Sequence, residues 1–406
     1  MQNMRILLVH QNFPGQFRTL APALLSAGHE LRAISMRPET QWVGVPNTCY
    51  KPGRGSTPAI HPWLSSTETA VIRGEAVALA VDEMLAQGWT PDLVLGHTGW
   101  GEMLFMRQVL PHARLLGFNE LYYRSQGGDV GFDPEFPADP MVARRLQARN
   151  MHLLKSLLDC DEAITPTHWQ ASCFPDSVRE RMRVIHDGIA TDKLQPDPSA
   201  FVQLGRSGVV LSHGDEVVTF VSRNLEPMRG YHQFMRALPE ILQRRPNARA
   251  VIVGGDEVSY GVAPKGHTGF KDIYLKEVQD RLDMGRVHFV NRVPYDTLMS
   301  LLKVSAAHVY LTVPFVLSWS MLEAMSLGAL VSGSDTAPVR EVIEDGHNGR
   351  LVDFFNPTQL AHAVCDALAE PQKYRDMRTA ARRTVVERYD FQSQSLPQYR
   401  QLIERH

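Results

Sequence analysis

A short apolar run, a turn and a helix-length segment recur along almost the whole chain, and this alternation limits the fold more than any other feature. Ile6-Leu7-Leu8-Val9 is apolar without a break. A run of that length, apolar on both faces, suits a strand buried inside a parallel sheet. The turn at 11–16 follows, then Phe17, Leu20 and Leu24 at helical spacing, closed by Gly28 and His29, and a second strand over Leu31–Ser35. Strand, turn, helix, strand is the βαβ unit. Leu93–Leu95, Leu115–Phe118 and Ala163–Thr165 continue the strands, with helices expected over 67–87, 102–110 and 140–158. The pattern then restarts. Val217–Val221 and Val251–Asp256 are strands around a helix over 233–244, followed by strands at Val287–Val290, His308–Leu311, Leu330–Val331 and Leu351–Val352. The chain therefore reads as α/β, with two doubly wound Rossmann-like domains. Pro, Ser and Gly cluster over 197–213, which sets the expected boundary: residues 1–200, residues 201–385, and a C-terminal helical segment over 386–406. Such sheets bind ligands at the carboxyl ends of their strands, so two domains facing a cleft would hold a ligand between them.

Composition removes several function classes. Lys plus Arg (42) nearly balances Asp plus Glu (44), so the basic excess of a nucleic-acid-binding protein is missing. Cys49, Cys160, Cys173 and Cys365 are far apart and lack zinc-type spacing; they read as buried free thiols in a reducing compartment. No run reaches the roughly 18 apolar residues of a membrane helix, and the N-terminal apolar run is too short for a signal-peptide core. A cytoplasmic protein is expected, with peripheral contact at a membrane left open.

Three stretches carry chemistry. In Ser222-Arg223-Asn224-Leu225-Glu226-Pro227-Met228-Arg229-Gly230, two arginines sit in a turn between a buried strand and a helix start. Guanidinium forks and a helix N-terminus suit phosphate oxygens, although a solvated loop would look the same. In 314–328, Ser318 or Ser320 can cap a helix in which Glu323 occupies an early turn. A carboxylate there can take the two hydroxyls of a ribose or simply complement the helix dipole. The third stretch, Asp335 to Gly349, has helix punctuation at Pro338, Gly346 and Gly349 and needs no function.

Taken in order, Arg223…Arg229-Gly230, Gly254-Gly255, Leu322-Glu323-Ala324-Met325 and Pro338-Val339-Arg340-Glu341-Val342-Ile343…Asn348-Gly349 resemble the retaining GT-B glycosyltransferases of glycosyltransferase family 4. The first half agrees, through Asn12–Gln16 as a glycine loop, Asp92–His97 as a D-x-V-H-x-H strand end, and Val184–Ile189 before the linker. The resemblance implies that Arg223 and Arg229 hold the donor diphosphate, with Arg229 replacing the usual Lys of an R-x5-K pair. It implies that Glu323 binds the nucleotide ribose, that Gly15 and Gly254 allow close backbone approach, and that His97 lies at the sugar. The first Glu of the family's E-x7-E falls at Phe315, so the sugar contact passes to Ser318, Ser320 and nearby N–H groups. The resemblance also implies that the C-terminal helix over 386–406 crosses back to the first domain, and the expected catalytic residues are His97, Arg223 and Arg229.

The implied reaction moves a sugar from a nucleotide-sugar, with UDP taken ahead of GDP, to a saccharide, lipid-linked or small-molecule hydroxyl acceptor, with retention. The two arginines and helix N-termini would stabilise the leaving diphosphate, and no D-x-D cluster calls for a metal, so no cofactor is expected. A 2-epimerase acting on a UDP-sugar and a non-catalytic nucleotide-sugar binder are the competing readings. On the acceptor side, Asn119–Arg124, Gly127–Asp133 and His61-Pro62-Trp63 combine aromatics with carboxylates as sugar rings prefer; a surface loop with buried tyrosines fits equally.

Overall fold

The computed structural model describes residues 3–38, 41–205, 208–261 and 263–405. The chain divides into unit 1, Met1–Gly188 with Phe391–His406, and unit 2, Ile189–Asp390.

Unit 1 is built on eight strands: β1 Arg5–Val9, β2 Glu30–Ser35, β3 Gln41–Trp42, β4 Val45–Cys49, β5 Leu93–His97, β6 Arg114–Phe118, β7 Glu162–Thr165 and β8 Met182–Val184. Their order is β3-β4-β2-β1-β5-β6-β7-β8, parallel throughout except for the two-residue β3, which pairs antiparallel with β4. Ile6 through Val9 are fully buried because helices cover both faces of the sheet. One face packs Ile6 and Leu8 with Phe17, Phe118 and, from the end of the chain, Phe391, Leu396, Tyr399 and Leu402. The other packs Leu7 and Val9 with Val77, Val81 and Met84 of helix Ser65–Ala86. The terminal helix Leu396–Ile403 ends on Arg114, which donates to the carbonyls of Leu402 (2.6 Å), Ile403 (3.1 Å) and Arg405 (2.8 Å). A guanidinium at a helix C-terminus satisfies carbonyls that have no helical partner.

Unit 2 opens with a hairpin, β9 Phe201–Leu204 and β10 Val209–Ser212, followed by β11 Val217–Asn224, β12 Arg249–Gly255, β13 Val287–Phe289, β14 Ala307–Tyr310, β15 Leu330–Ser334 and β16 Arg350–Val352. The six-stranded sheet runs β13-β12-β11-β14-β15-β16. Counted within the unit this is 3-2-1-4-5-6, the dinucleotide-fold order, whose direction reverses between β11 and β14.

The structure corrects four expectations. The change of unit lies between Gly188 and Ile189, not near 200. Instead of a linker, Phe201–Leu204 and Val209–Ser212 form paired antiparallel strands, with Val202, Leu204 and Leu211 packed on Val217, Leu301 and Val304. The 102–110 segment is helical only over Met106–Val109. The stretch 386–406 is split: helix Arg375–Tyr389 lies in unit 2, and only 391–406 lies in unit 1. All four cysteines are free, three of them buried, and burial pushes the Cys160 thiol up to about 12. No helix among the described residues is long and apolar enough to cross a membrane.

The core of unit 2 also stores a titratable group. His308 on β14 is fully buried, with Nδ1 2.9 Å from Thr219 Oγ1, and burial lowers its pKa to about 3. The folded ring is neutral, while the unfolded chain binds a proton below about 6.5. Stability from this residue is therefore complete above pH 6.5 and is lost as the pH falls toward 3. His308→Asn is expected to flatten the acid side of a stability profile between pH 6 and 4 by about 1.4 kcal/mol per pH unit, one proton's worth. Parallel urea titrations of the two proteins would show this; equal slopes would contradict it.

Candidate active site

Unit 2 gathers its polar groups at the carboxyl ends of β11, β12 and β14. β11 continues through Ser222 and Arg223 to Asn224. Arg223 is exposed, and its side chain makes no hydrogen bond or ion pair among the described residues. A 3-10 turn, Pro227–Arg229, then leads into helix Tyr231–Arg244. Gly230 joins them at φ +66°, and a Cβ there would stand 2.3 Å from Leu311 Cβ. Glycine is needed on both counts.

Arg229 is buried, and its Nη1 donates to Thr312 Oγ1 (2.9 Å) and Val316 O (2.9 Å). Its guanidinium lies 5.4 Å from the Phe315 ring and 5.6 Å from the Tyr260 ring. Those two rings meet edge-on at 4.9 Å. The residue found where the resemblance expects a carboxylate is thus part of an aromatic seat for the buried guanidinium. Glu226 braces the same seat, since its Oε2 accepts from the N–H groups of Ser259 (3.3 Å) and Tyr260 (3.1 Å), and burial raises its carboxyl above the usual range.

Ser318 caps helix Trp319–Ser326; its Oγ accepts from Ser320 N and lies 3.0 Å from Ser320 Oγ. Its own N–H donates to the Tyr310 hydroxyl at 2.7 Å. Glu323, in the second turn, is buried and accepts from the Tyr295 hydroxyl at 2.7 Å. Gly254 is the penultimate residue of β12, and a Cβ there would meet Leu225 Cδ2 at 2.7 Å and Ser222 O at 2.9 Å, so it sets how closely the arginine loop lies on the next strand. Sequence reasoning named Arg223, Arg229, Gly254, Ser318, Ser320 and Glu323 but not Tyr260, Tyr295 or Glu226. Their partners are 28 to 34 residues away, and no local pattern joins them. The Pro338–Gly349 segment has structural work: Asn348 Nδ2 bonds Val342 O and Thr384 Oγ1, both at 3.0 Å.

Gly15 and His97 belong to unit 1. β1 and β5 are neighbours where the strand order of that sheet reverses, and beyond their ends lies a compact polar group. A Cβ on Gly15 (φ +45°) would stand 2.3 Å from the His10 ring. His97 is 1% exposed. Trp100 stacks on its ring at 4.1 Å, and the His10 ring meets it edge-on at 5.2 Å. His97 Nδ1 accepts from Gly99 N at 3.0 Å, which leaves the proton of a neutral ring on Nε2. That atom makes no hydrogen bond and lies 3.7 Å from Glu120 Oε2. Of the expected acceptor stretch, Asn119 is buried, with Oδ1 accepting from Thr98 Oγ1 at 2.9 Å, and Arg149 covers the Tyr123 ring at 3.7 Å.

Known proteins resemble the chain along most of its length. Residues 27–194 match the glycosyl transferase family 4 group, and residues 207–384 match the glycosyl transferases group 1. Spore coat protein SA of Bacillus subtilis is 25% identical over 229 residues, 54% of this chain and 58% of that protein. A GDP-mannose-dependent alpha-(1-6)-phosphatidylinositol monomannoside mannosyltransferase of Mycolicibacterium smegmatis is 24% identical over 304 residues, 70% of each chain. The matched region thus spans little more than half of the first relative's own length. Among solved structures, sucrose-phosphate synthase of Thermosynechococcus elongatus superposes with a TM-score of 0.72 at 18% identity, covering 99% of both chains. HepE of Anabaena, solved with UDP and glucose, gives 0.69 at 18% identity, again over 99% of both. With two Rossmann-like units and both family regions in sequence order, the chain belongs to the GT-B glycosyltransferases of the family 4 type.

Proposed function

We propose that this protein is a retaining hexosyltransferase that takes its sugar from a nucleoside diphosphate sugar and delivers it to a hydroxyl acceptor. The observation that carries this reading is the arrangement in unit 2. An exposed Arg223 near the end of β11, a buried Arg229 in the turn after it and a buried Glu323 on the helix after β14 gather where the 3-2-1-4-5-6 order reverses. In this reading the diphosphate takes the arginines and the capped helix start, and the ribose hydroxyls take Glu323. Arg223 and Arg229 supply positive charge to the leaving diphosphate as fixed electrostatics, with no metal needed for that role. UDP is the first donor base to test, since HepE was solved with UDP; GDP is the second, since a relative is named for GDP-mannose. Retention of configuration rests on the family resemblance.

The test is release of the nucleoside diphosphate from UDP-glucose and GDP-mannose, with and without EDTA. Release from one donor, unchanged by EDTA, is expected. Epimerisation without release, or binding without consumption, would overturn the reading.

Phe315 gives a second prediction. Phe315→Glu would place a carboxylate beside the Arg229 guanidinium, at the distance the ring now occupies. The new charge would neutralise the phosphate seat, and nucleotide affinity should fall at least tenfold, about 1.4 kcal/mol. Phe315→Leu should keep it. Titration calorimetry with the nucleotide distinguishes the two, and equal affinity in both variants would detach Phe315 from the donor.

A further inference from the structure

Glu323 is the one ionisable residue of helix Trp319–Ser326, and it is 5% exposed. Its neighbours Leu322, Ala324 and Met325 belong to a buried apolar cluster of unit 2. A carboxylate in such a place is costly unless donors meet it. Burial alone does not set its plane, because the last torsion of a glutamate side chain is broad. A donor that does set it comes from another element: the Tyr295 hydroxyl, 2.7 Å from Oε1. An ionised carboxylate only accepts, so the phenol donates. Tyr295 is the first residue of helix Tyr295–Val304, which follows β13. In the order β13-β12-β11-β14 that strand is far from β14, whose helix carries Glu323. The chain leaving β13 passes the end of β12, where Gly254 N donates to Asn291 O at 3.0 Å, before the helix starts beside the acid. Met299 and Leu302 of that helix share one buried cluster with Met321, Leu322 and Met325, and the half-buried Tyr295 ring packs on the same cluster. The ring is therefore held, and its hydroxyl meets Glu323 at the carboxyl edge of the sheet, where doubly wound folds bind ligands.

We propose that Tyr295 is a positioning residue of the donor site: its hydroxyl turns the Glu323 carboxylate so that the ribose hydroxyls of the nucleotide find their acceptors. The assignment rests on the nucleotide-sugar reading above, in which Glu323 takes the ribose, and adds the residue that makes the acid selective for it. One phenol does not exhaust a carboxylate, which offers about four acceptor positions on its two oxygens. Charged acceptors make stronger hydrogen bonds than neutral ones, and those bonds weaken steeply when misdirected. A carboxylate that is already fixed also loses little freedom when the sugar arrives. Loss of the Tyr295 hydroxyl is therefore felt in ribose recognition, while the ring keeps its packing.

The experiment measures the affinities of UDP, GDP and their 2′,3′-dideoxy forms for the unaltered full chain, Tyr295→Phe, Tyr295→Ala, Glu323→Gln and the double variant Tyr295→Phe/Glu323→Gln. The quantity read is the ribose preference, the affinity for a nucleotide divided by that for its dideoxy form. The unaltered chain is expected to show a preference of roughly 30-fold or more for the nucleotide it binds, as hydroxyls on a charged acceptor give. Tyr295→Phe is expected to cut that preference about tenfold, with affinity for the dideoxy form unchanged within about threefold. Tyr295→Ala should cut the preference to a similar degree and also lower the melting temperature, because the ring is lost. Since Tyr295 acts through Glu323, adding Tyr295→Phe to Glu323→Gln should change the preference by less than about threefold. A ring with a purely structural role gives another pattern, with Tyr295→Phe silent and both forms weakened alike in Tyr295→Ala. That pattern, or losses that multiply in the double variant, would overturn the proposal while leaving the nucleotide site in place. No binding of UDP or GDP to the unaltered chain would overturn the nucleotide-sugar reading, and a preference unmoved by Glu323→Gln would remove Glu323 from the ribose; the role of Tyr295 falls with either.

Discussion

Arg223→Ala is expected to lower donor turnover by about 10²–10³-fold, the usual loss for one preorganised charge at a developing anion, and to leave the fold intact. The side chain is exposed and bonds to nothing among the described residues. Its removal strands no partner, and such surface changes stay within about 0.5 kcal/mol. Arg229→Ala is a poorer probe, because Thr312 and Val316 would each lose a buried donor and folding would suffer along with binding. Donor kinetics measured beside thermal unfolding separate the two effects. An Arg223→Ala protein with turnover within tenfold of the parent would remove this arginine from the diphosphate site.

Gly230→Val should be the most damaging single change to unit 2. The position has φ +66°, a region that costs an ordinary residue about 1–2 kcal/mol and a β-branched one more. The new Cβ would also overlap Leu311 at 2.3 Å, and relief of such overpacking costs roughly 1–3 kcal/mol. Backbone bonds hold the turn on both sides, Val313 N to Met228 O at 3.1 Å and Phe234 N to Gly230 O at 3.0 Å. Shifting the turn therefore disturbs the Arg229 seat as well. A loss of at least about 3 kcal/mol corresponds to a melting point lower by roughly 6–12 °C for a unit of this size. Differential scanning calorimetry would read it directly; a shift under 2 °C would show that the turn adjusts without strain.

The central strands were legible because burial on both faces makes them almost continuously apolar, as in Ile6–Val9 and in Val217–Phe220, where only Thr219 interrupts. Where that condition fails, the signal fails. β4 contains Pro46, Asn47 and Thr48, and β11 ends in Ser222, Arg223 and Asn224; neither polar stretch shows an apolar run. The hairpin at 201–212 does carry a signal, since Phe201 to Leu204 alternates exposed and buried, but the neighbouring Pro, Ser and Gly look like a linker. The change of unit at Gly188 depends on the far end of the chain. Ile189 N bonds Tyr389 O at 2.8 Å, and a Cβ on Gly188 would lie 2.8 Å from Phe391 Cα. Two crossings side by side leave no mark in a linear pattern.

The candidate site divides in the same way. Arginines in a strand-to-helix turn and a capped helix with an early acid can be found by spacing, and Ser318 is the cap. What surrounds them cannot. Tyr295 reaches Glu323 across 28 residues, Arg229 reaches Val316 across 87, and Gln16 reaches Glu120 across 104. The motif names the residue, and only the fold shows whether that residue faces solvent or, like His97, is enclosed.

The most direct test of the nucleotide-sugar reading is calorimetric titration of UDP and GDP, without metal, into the unaltered chain and into Arg223→Ala. One of the two nucleotides is expected to bind the unaltered chain, and Arg223→Ala to weaken that binding at least tenfold, about 1.4 kcal/mol. Equal affinity in both proteins, or no binding of either nucleotide to the unaltered chain, would contradict it.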